Sequence, residues 1–252
     1  MKKFILVVVC LSALPVFALN KTEAEAIVAE ANKLYEAQKF QEAYEKYKQA
    51  EENYTSFGLQ YNFGNACYKL GKIPEAILHY ERAKKINPYD EDLYNNIAVA
   101  NLKVTDKIEA LPSLGVTDFW NNITSEGSLS KWTSLTIAFI IAGFALMSLY
   151  IWKKRKNFNR GVFGIGGLML LCGLITFSFA QTAYNRIQSN TEAIIFTSKV
   201  DVRTSPDEQA GTAFVIHAGT KISIRTENAE WIEVRIASGN VGWIKKGDSI
   251  VI

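Results

Sequence analysis

Two long uncharged stretches, separated by a short basic one, constrain this chain more than any other feature. Residues 132–152 (WTSLTIAFIIAGFALMSLYIW) hold no charge over 21 positions, and residues 161–184 again hold none. At about 1.5 Å of rise per residue the first reaches roughly 30 Å, one hydrocarbon thickness. Trp132, Tyr150 and Trp152 stand at its ends, and Tyr184 and then Arg186 close the second, as interfacial side chains do. Between the two, KKRKNFNR places five cations in eight residues. The pattern predicts a two-span transmembrane helical hairpin, helices 132–152 and 161–184. The loop 153–160 is too short to hold a domain. Lys153, Lys154, Arg155, Lys156 and Arg160 therefore read as topology determinants that meet anionic lipid on the cytoplasmic side. Gly166, Gly173 and Ala180 recur every seven residues on the second span. Ser134, Ala138, Ala142 and Ala145 give the first a small face, and these faces are expected to pack together.

The apolar residues, 48% of the chain, pile into blocks at 4–18, 132–152 and 161–184. One core built from all 252 residues is thereby excluded. Residues 1–18 begin with Lys2 and Lys3, continue as FILVVVCLSALPVF and end at Ala18. This predicts a signal peptide cleaved before Leu19, the alternative being an uncleaved anchor. Val9 ahead of Cys10 argues against lipidation. Signal peptide and basic loop agree on topology. Both flanking domains are expected on the outer side of the membrane, away from the cytoplasm.

Residues 21–105, within an expected repeat domain 19–111, are helical in pattern and carry an internal repeat. Phe40-Gln-Glu-Ala43-Tyr-Glu-Lys-Tyr47-Lys-Gln-Ala50 recurs 33 residues later as Ile73-Pro-Glu-Ala76-Ile-Leu-His-Tyr80-Glu-Arg-Ala83, closed by Asn87-Pro88. Tyr61-Asn62-Phe63-Gly64-Asn65-Ala66-Cys67 is echoed from Asn95 onward, 34 residues on. Small residues at 64, 76 and 83 let two helices approach closely, and Pro88 turns the chain after the second. This resembles the tetratricopeptide repeat, about 2.5 copies of it. Ala31 stands in for Gly64 and Thr55 for Pro88 in a degenerate first unit, and residues 90–104 read as a capping helix.

The resemblance implies an all-α solenoid whose first helices line a concave groove for an extended peptide. By register that face holds Asn32, Tyr35, Asn62, Asn65, Tyr68, Lys69, Asn95 and Asn96. Asparagine can satisfy both N–H and C=O of a ligand backbone. The competing reading makes these residues a solvated face or intramolecular packing. The carboxylate-clamp subfamily needs three cations where this chain has Val28, Asp92 and Asn96, so a chaperone-tail clamp is not expected.

Residues 112–131 and 185–192 read as linkers. From 193 to 252 the pattern switches to period two, with turns at Ser205-Pro206-Asp207, Ala218-Gly219, Glu227-Asn228 and Ser238-Gly239-Asn240. Five or six short strands predict a small all-β barrel. Val202-Arg203-Thr204-Ser205-Pro206, Gly219-Thr220-Lys221-Ile222, Trp231-Ile232-Glu233-Val234 and Gly242-Trp243-Ile244 resemble the bacterial SH3-like family, with Asp201 where that family has Asn. The resemblance implies a module that binds peptidoglycan or peptides, or only other proteins. Trp231 and Trp243 are the candidate ligand face, the alternative being that they are core.

Three cysteines in unlike surroundings and two distant histidines supply no disulfide framework, metal site or nucleophile motif. No cofactor, no metal and no catalytic residue is expected; the chain does not read as an enzyme. Of the net charge of +3, the first three residues carry +2 and the 153–160 loop +5, so everything else totals −4. The basicity is a topology signal, and no nucleic-acid partner is expected. The order signal peptide, repeats, hairpin and barrel resembles the E-type branch of the Bacteroides aerotolerance (Bat) family. That resemblance implies an inner-membrane scaffold linked to oxygen or stress tolerance. Its partners would be membrane or periplasmic proteins, von Willebrand A-type Bat proteins among them, besides the lipid bilayer. Peptidoglycan, sensed through the barrel, is the alternative.

Overall fold

The computed structural model describes residues 14–109, 115, 119–120, 123–124, 128–153, 160–188 and 191–252. The chain divides into two compact units, one joining the N-terminal helices with the C-terminal strands and one of two apolar helices.

Among the described residues, five helices open the first unit: α1 (Leu14–Glu36), α2 (Phe40–Glu51), α3 (Phe57–Lys69), α4 (Ile73–Ile86) and α5 (Glu91–Asn101). Most of the expected signal segment, residues 1–13, lies outside the described residues. The turns after α1 and α3 are built alike. Lys39 N–H donates to Leu34 O and Lys72 N–H to Cys67 O, both at 2.9 Å, closing the helix ends as Schellman motifs do. Such a turn needs a left-handed residue. Gly71 supplies it at φ 74° after α3, and Gln38 takes φ 60° after α1. The starts of α3 and α5 also repeat: Ser56 caps Leu59 N–H and Asp90 caps Leu93 N–H. Pro74 sits in the first turn of α4, where its missing N–H costs nothing.

Each pair buries small residues where the helices cross. A Cβ on Gly64 would stand 2.5 Å from the Tyr80 ring, so glycine there is required by the approach of α4. Ala31, Ala43, Tyr47, Ala50, Leu59, Phe63, Ala76, Tyr80, Ala83 and Leu93 form one core. Fully burying a side chain the size of Leu59, Phe63 or Leu93 contributes roughly 1.5–3 kcal/mol before conformational entropy is subtracted.

The C-terminal strands are β1 (Glu192–Ile195), β2 (Lys199–Arg203), β3 (Thr212–His217), β4 (Lys221–Glu227), β5 (Trp231–Arg235), β6 (Val241–Lys245) and β7 (Ser249–Val251). They form one antiparallel sheet in the order β3-β2-β6-β5-β4-β1-β7. Seven strands replace the five or six expected from sequence. β1 escapes a period-two reading because both its faces are covered: Ala193 and Ile195 join the sheet core with Val202, Ile216, Ile222, Val234 and Ile244, whereas Ile194 joins the helical core. β7 is too short to show a period.

Ile194 and Ile252 from the strands and Val104 after α5 belong to the helical core, with Phe196 against it. The β3–β4 turn presses on the same place, Gly219 at φ 90° lying where a Cβ would be 2.9 Å from Val104. Polar clasps surround this contact. Lys221 pairs with Glu81 and Glu192, each at 2.9 Å. Lys85 donates to Ile252 O at 3.0 Å. Asp106 accepts from His217 N–H at 2.6 Å and from Thr220 Oγ1 at 2.6 Å, while its other oxygen lies 2.7 Å from His217 Nδ1.

The second unit holds α6 (Leu129–Lys153) and α7 (Arg160–Gln188). Both are long and apolar enough to cross a membrane. They pack at Gly143, Gly166 and Gly173, where added Cβ atoms would meet Leu170, Met147 and Ile140 of the opposite helix. Thr136 Oγ1 donates to Thr176 Oγ1 across the seam at 2.9 Å. The first-span face expected to meet α7 is corrected here. Ser134, Ala138 and Ala145 lie exposed, because the seam follows Thr136, Ile140, Gly143 and Met147, offset by two residues and hence on nearly the opposite side of the helix. Lys153 and Arg160 end and begin the two helices, and Lys154, Arg155 and Lys156 lie outside the described residues.

Candidate peptide-binding groove

The first helices of the repeats, α1, α3 and α5, carry all eight groove residues expected from sequence. Four of the eight, Asn32, Asn62, Asn65 and Asn96, take part in one arrangement, and it repeats. Asn32 Oδ1 accepts from Tyr47 OH at 2.7 Å and from Asn62 Nδ2 at 3.0 Å. One repeat on, Asn65 Oδ1 accepts from Tyr80 OH at 2.8 Å and from Asn96 Nδ2 at 3.0 Å. Asn96 Nδ2 also meets Tyr61 OH at 3.1 Å. Asn32 on α1 and Asn65 on α3 thus each tie their own repeat's second helix to the next repeat's first. The ladder ends at Val99, which stands 34 residues after Asn65 and has no amide.

Beyond the ladder the face is open. Tyr35, Asn65, Tyr68, Lys69, Tyr80, Asn96 and Val99 line a cavity of about 310 Å³. Asn95 is exposed and lies outside both ladder and cavity. Burial raises the Tyr80 and Tyr47 hydroxyls well above the ordinary phenol range, helped by neighbouring tyrosines, and raises Tyr35 by the same cause. All three remain neutral donors. Sequence reasoning missed Tyr47, Tyr61 and Tyr80 as members. The usable signal was that Tyr47 and Tyr80 share the 33-residue offset of Asn32 and Asn65.

Behind the groove, His79 stacks on Phe63 at 3.8 Å between ring centroids and donates from Nδ1 to Gln60 Oε1 at 2.8 Å. Burial, and then the Arg82 guanidinium, push its pKa down to about 3. Cys67 is buried and burial holds its thiol well above the usual range, so it is inert core.

The two tryptophans of the sheet are not alike. Trp231 is buried, with Lys245 Nζ 5.8 Å from its ring centre, and Trp243 is half-buried on β6 opposite Glu233. Among the described residues no cluster of His, Cys, Asp and Glu could hold a metal.

Comparison with known proteins agrees with the helical part. Residues 64–104 match the family described as TPR repeat. The N-terminal helices are tetratricopeptide repeats. Residues 12–83 also match the family described as Anaphase-promoting complex, cyclosome, subunit 3. Over 77 residues, 31% of its length, the chain is 25% identical to a Bacillus subtilis (strain 168) protein named "Putative N-acetylmuramoyl-L-alanine amidase YrvJ". The matched stretch spans 15% of that protein.

Proposed function

We propose that this chain is a non-enzymatic scaffold anchored in a bacterial inner membrane, whose repeats hold an extended segment of a protein partner. The open cavity at the end of the asparagine ladder carries the reading. The ladder fixes the curvature of the groove, and the cavity leaves room for a ligand side chain beside amides that can pair with a ligand backbone. α6 and α7 are the anchor, with the repeats and the SH3-like sheet on the periplasmic side and loop 153–160 in the cytoplasm. The partner class is a membrane or periplasmic protein, and the architecture supports a Bat-type role beside von Willebrand A-type proteins. Val99→Trp, which fills the cavity without adding charge, tests the groove, because Val99 is 45% exposed and lies outside the ladder. Chemical crosslinking in intact membranes is expected to lose specific neighbours in that variant. An unchanged neighbour pattern would remove the groove from the account.

The likeness to a protein named as a putative N-acetylmuramoyl-L-alanine amidase supports one second reading, in which the C-terminal sheet binds peptidoglycan. Purified sacculi mixed with the detergent-solubilised full chain decide it. Retention supports wall binding; recovery of the chain in the flow-through eliminates it.

A further inference from the structure

We propose that the cavity beside Val99 is an anion subsite, taking the side-chain carboxylate of an Asp or Glu within the partner's extended segment. This rests on the groove reading above and adds the charge of the ligand.

The argument is one of donors and acceptors. The ladder consumes Asn32 Oδ1 and Asn65 Oδ1, each of which accepts two hydrogen bonds. What remains around the cavity is mostly donor. Lys69 Nζ and the hydroxyls of Tyr35 and Tyr68 make no hydrogen bond among the described residues, and neither does Asn65 Nδ2. Asn96 Oδ1 is the one spare amide acceptor, and no Asp or Glu lines the cavity. A carboxylate accepts only, with about four lone-pair positions, and is the side chain that complements such a set. Val99, where the register would repeat the asparagine, gives the methylenes of that side chain an apolar wall.

The register of the repeats adds direction. The position of Lys69 is held by Glu36 one repeat earlier and by Lys103 one repeat later. One edge of the groove is therefore acidic at the first repeat and cationic at the second and third. An acidic residue on the ligand settles against Lys69 and is repelled at Glu36, which fixes the register in which an extended segment lies. A cationic ligand residue would face Lys69 with no carboxylate lining the cavity to pair with it.

The test is selection of 12-residue peptides displayed within a phage coat protein, so that no free C-terminal carboxylate is offered, on the full chain in nanodiscs. Wild type, Lys69→Gln and Lys69→Glu are compared; Lys69 is exposed at the end of α3, so neither change touches the core. Wild type is expected to enrich peptides with Asp or Glu beside apolar residues. Their affinity should fall about tenfold in Lys69→Gln, and Lys69→Glu should instead enrich Lys or Arg. Enrichment of peptides without acid, or identical selections from all three chains, would overturn the anion subsite and leave the groove standing. No enrichment by wild type would overturn the groove itself, and the subsite with it.

Discussion

Gln38 occupies the left-handed turn position that Gly71 fills one repeat later. A side chain there costs roughly 1–2 kcal/mol, so Gln38→Gly should raise the stability of the repeats by about 1 kcal/mol in denaturant melts. No gain would mean that the turn relaxes out of the left-handed region. His79 gives the repeats a pH dependence. Its pKa is held near 3 in the fold and returns to the ordinary value of about 6.5 when the chain unfolds. The unfolded chain therefore binds the extra proton between those values. Stability is full above pH about 6.5 and falls through that window as acid is added, by about 1.4 kcal/mol per unit at most. His79→Gln should flatten the slope between pH 6 and 4; an equal slope in both proteins would place its origin elsewhere.

At the scale of elements, small residues set how close the helices come. Gly64→Ala gains helix propensity of up to about 1 kcal/mol. It also drives a methyl into a Tyr80 ring that is buried and pinned by its hydroxyl to Asn65. We expect the clash to win, with a net loss of about 1–2 kcal/mol in thermal or urea unfolding; a stabilised variant would show that α4 can shift freely. The elements were legible in the sequence to unequal degrees. Uncharged runs revealed α6 and α7, and the 33-residue echo revealed the helix pairs, because each signal is local. The seam of α6 was misplaced because small residues are common all round that helix and only one side meets α7. β1 stayed hidden because strand alternation requires one wet face, and this strand has none. Asn32, Asn62, Asn65 and Asn96 were legible as a face but not as a ladder. Their tyrosine partners lie on other helices and are reached only through the fold.

At the scale of the molecule, the clasp between repeats and sheet was not legible at all, since Asp106 and His217 are 111 residues apart. Burial works against the charge on Asp106, but hydrogen bonds from Thr220 and His217 outweigh it and hold the carboxyl below the usual range. Its contribution is therefore full above the ordinary aspartate pKa of about 3.9 and is lost as pH falls through the lowered value. Asp106→Ala strands the buried Thr220 hydroxyl and should cost about 2–3 kcal/mol. Amide exchange should then speed up at the β3–β4 turn and at Val104 together. Unchanged protection at Val104 would mean that the apolar contacts of Ile194 and Ile252 hold the two parts without the clasp. The sheet packs through β1 against α4, in the second-helix layer of the repeats. We propose that the α1-α3-α5 face of the repeats meets the partner. A photoactivatable crosslinking residue placed at Val99, and separately at exposed Lys48 on the opposite helix layer, tests it in intact membranes. Discrete protein adducts from position 99 and none from position 48 are the predicted result; adducts from position 48 alone would contradict it.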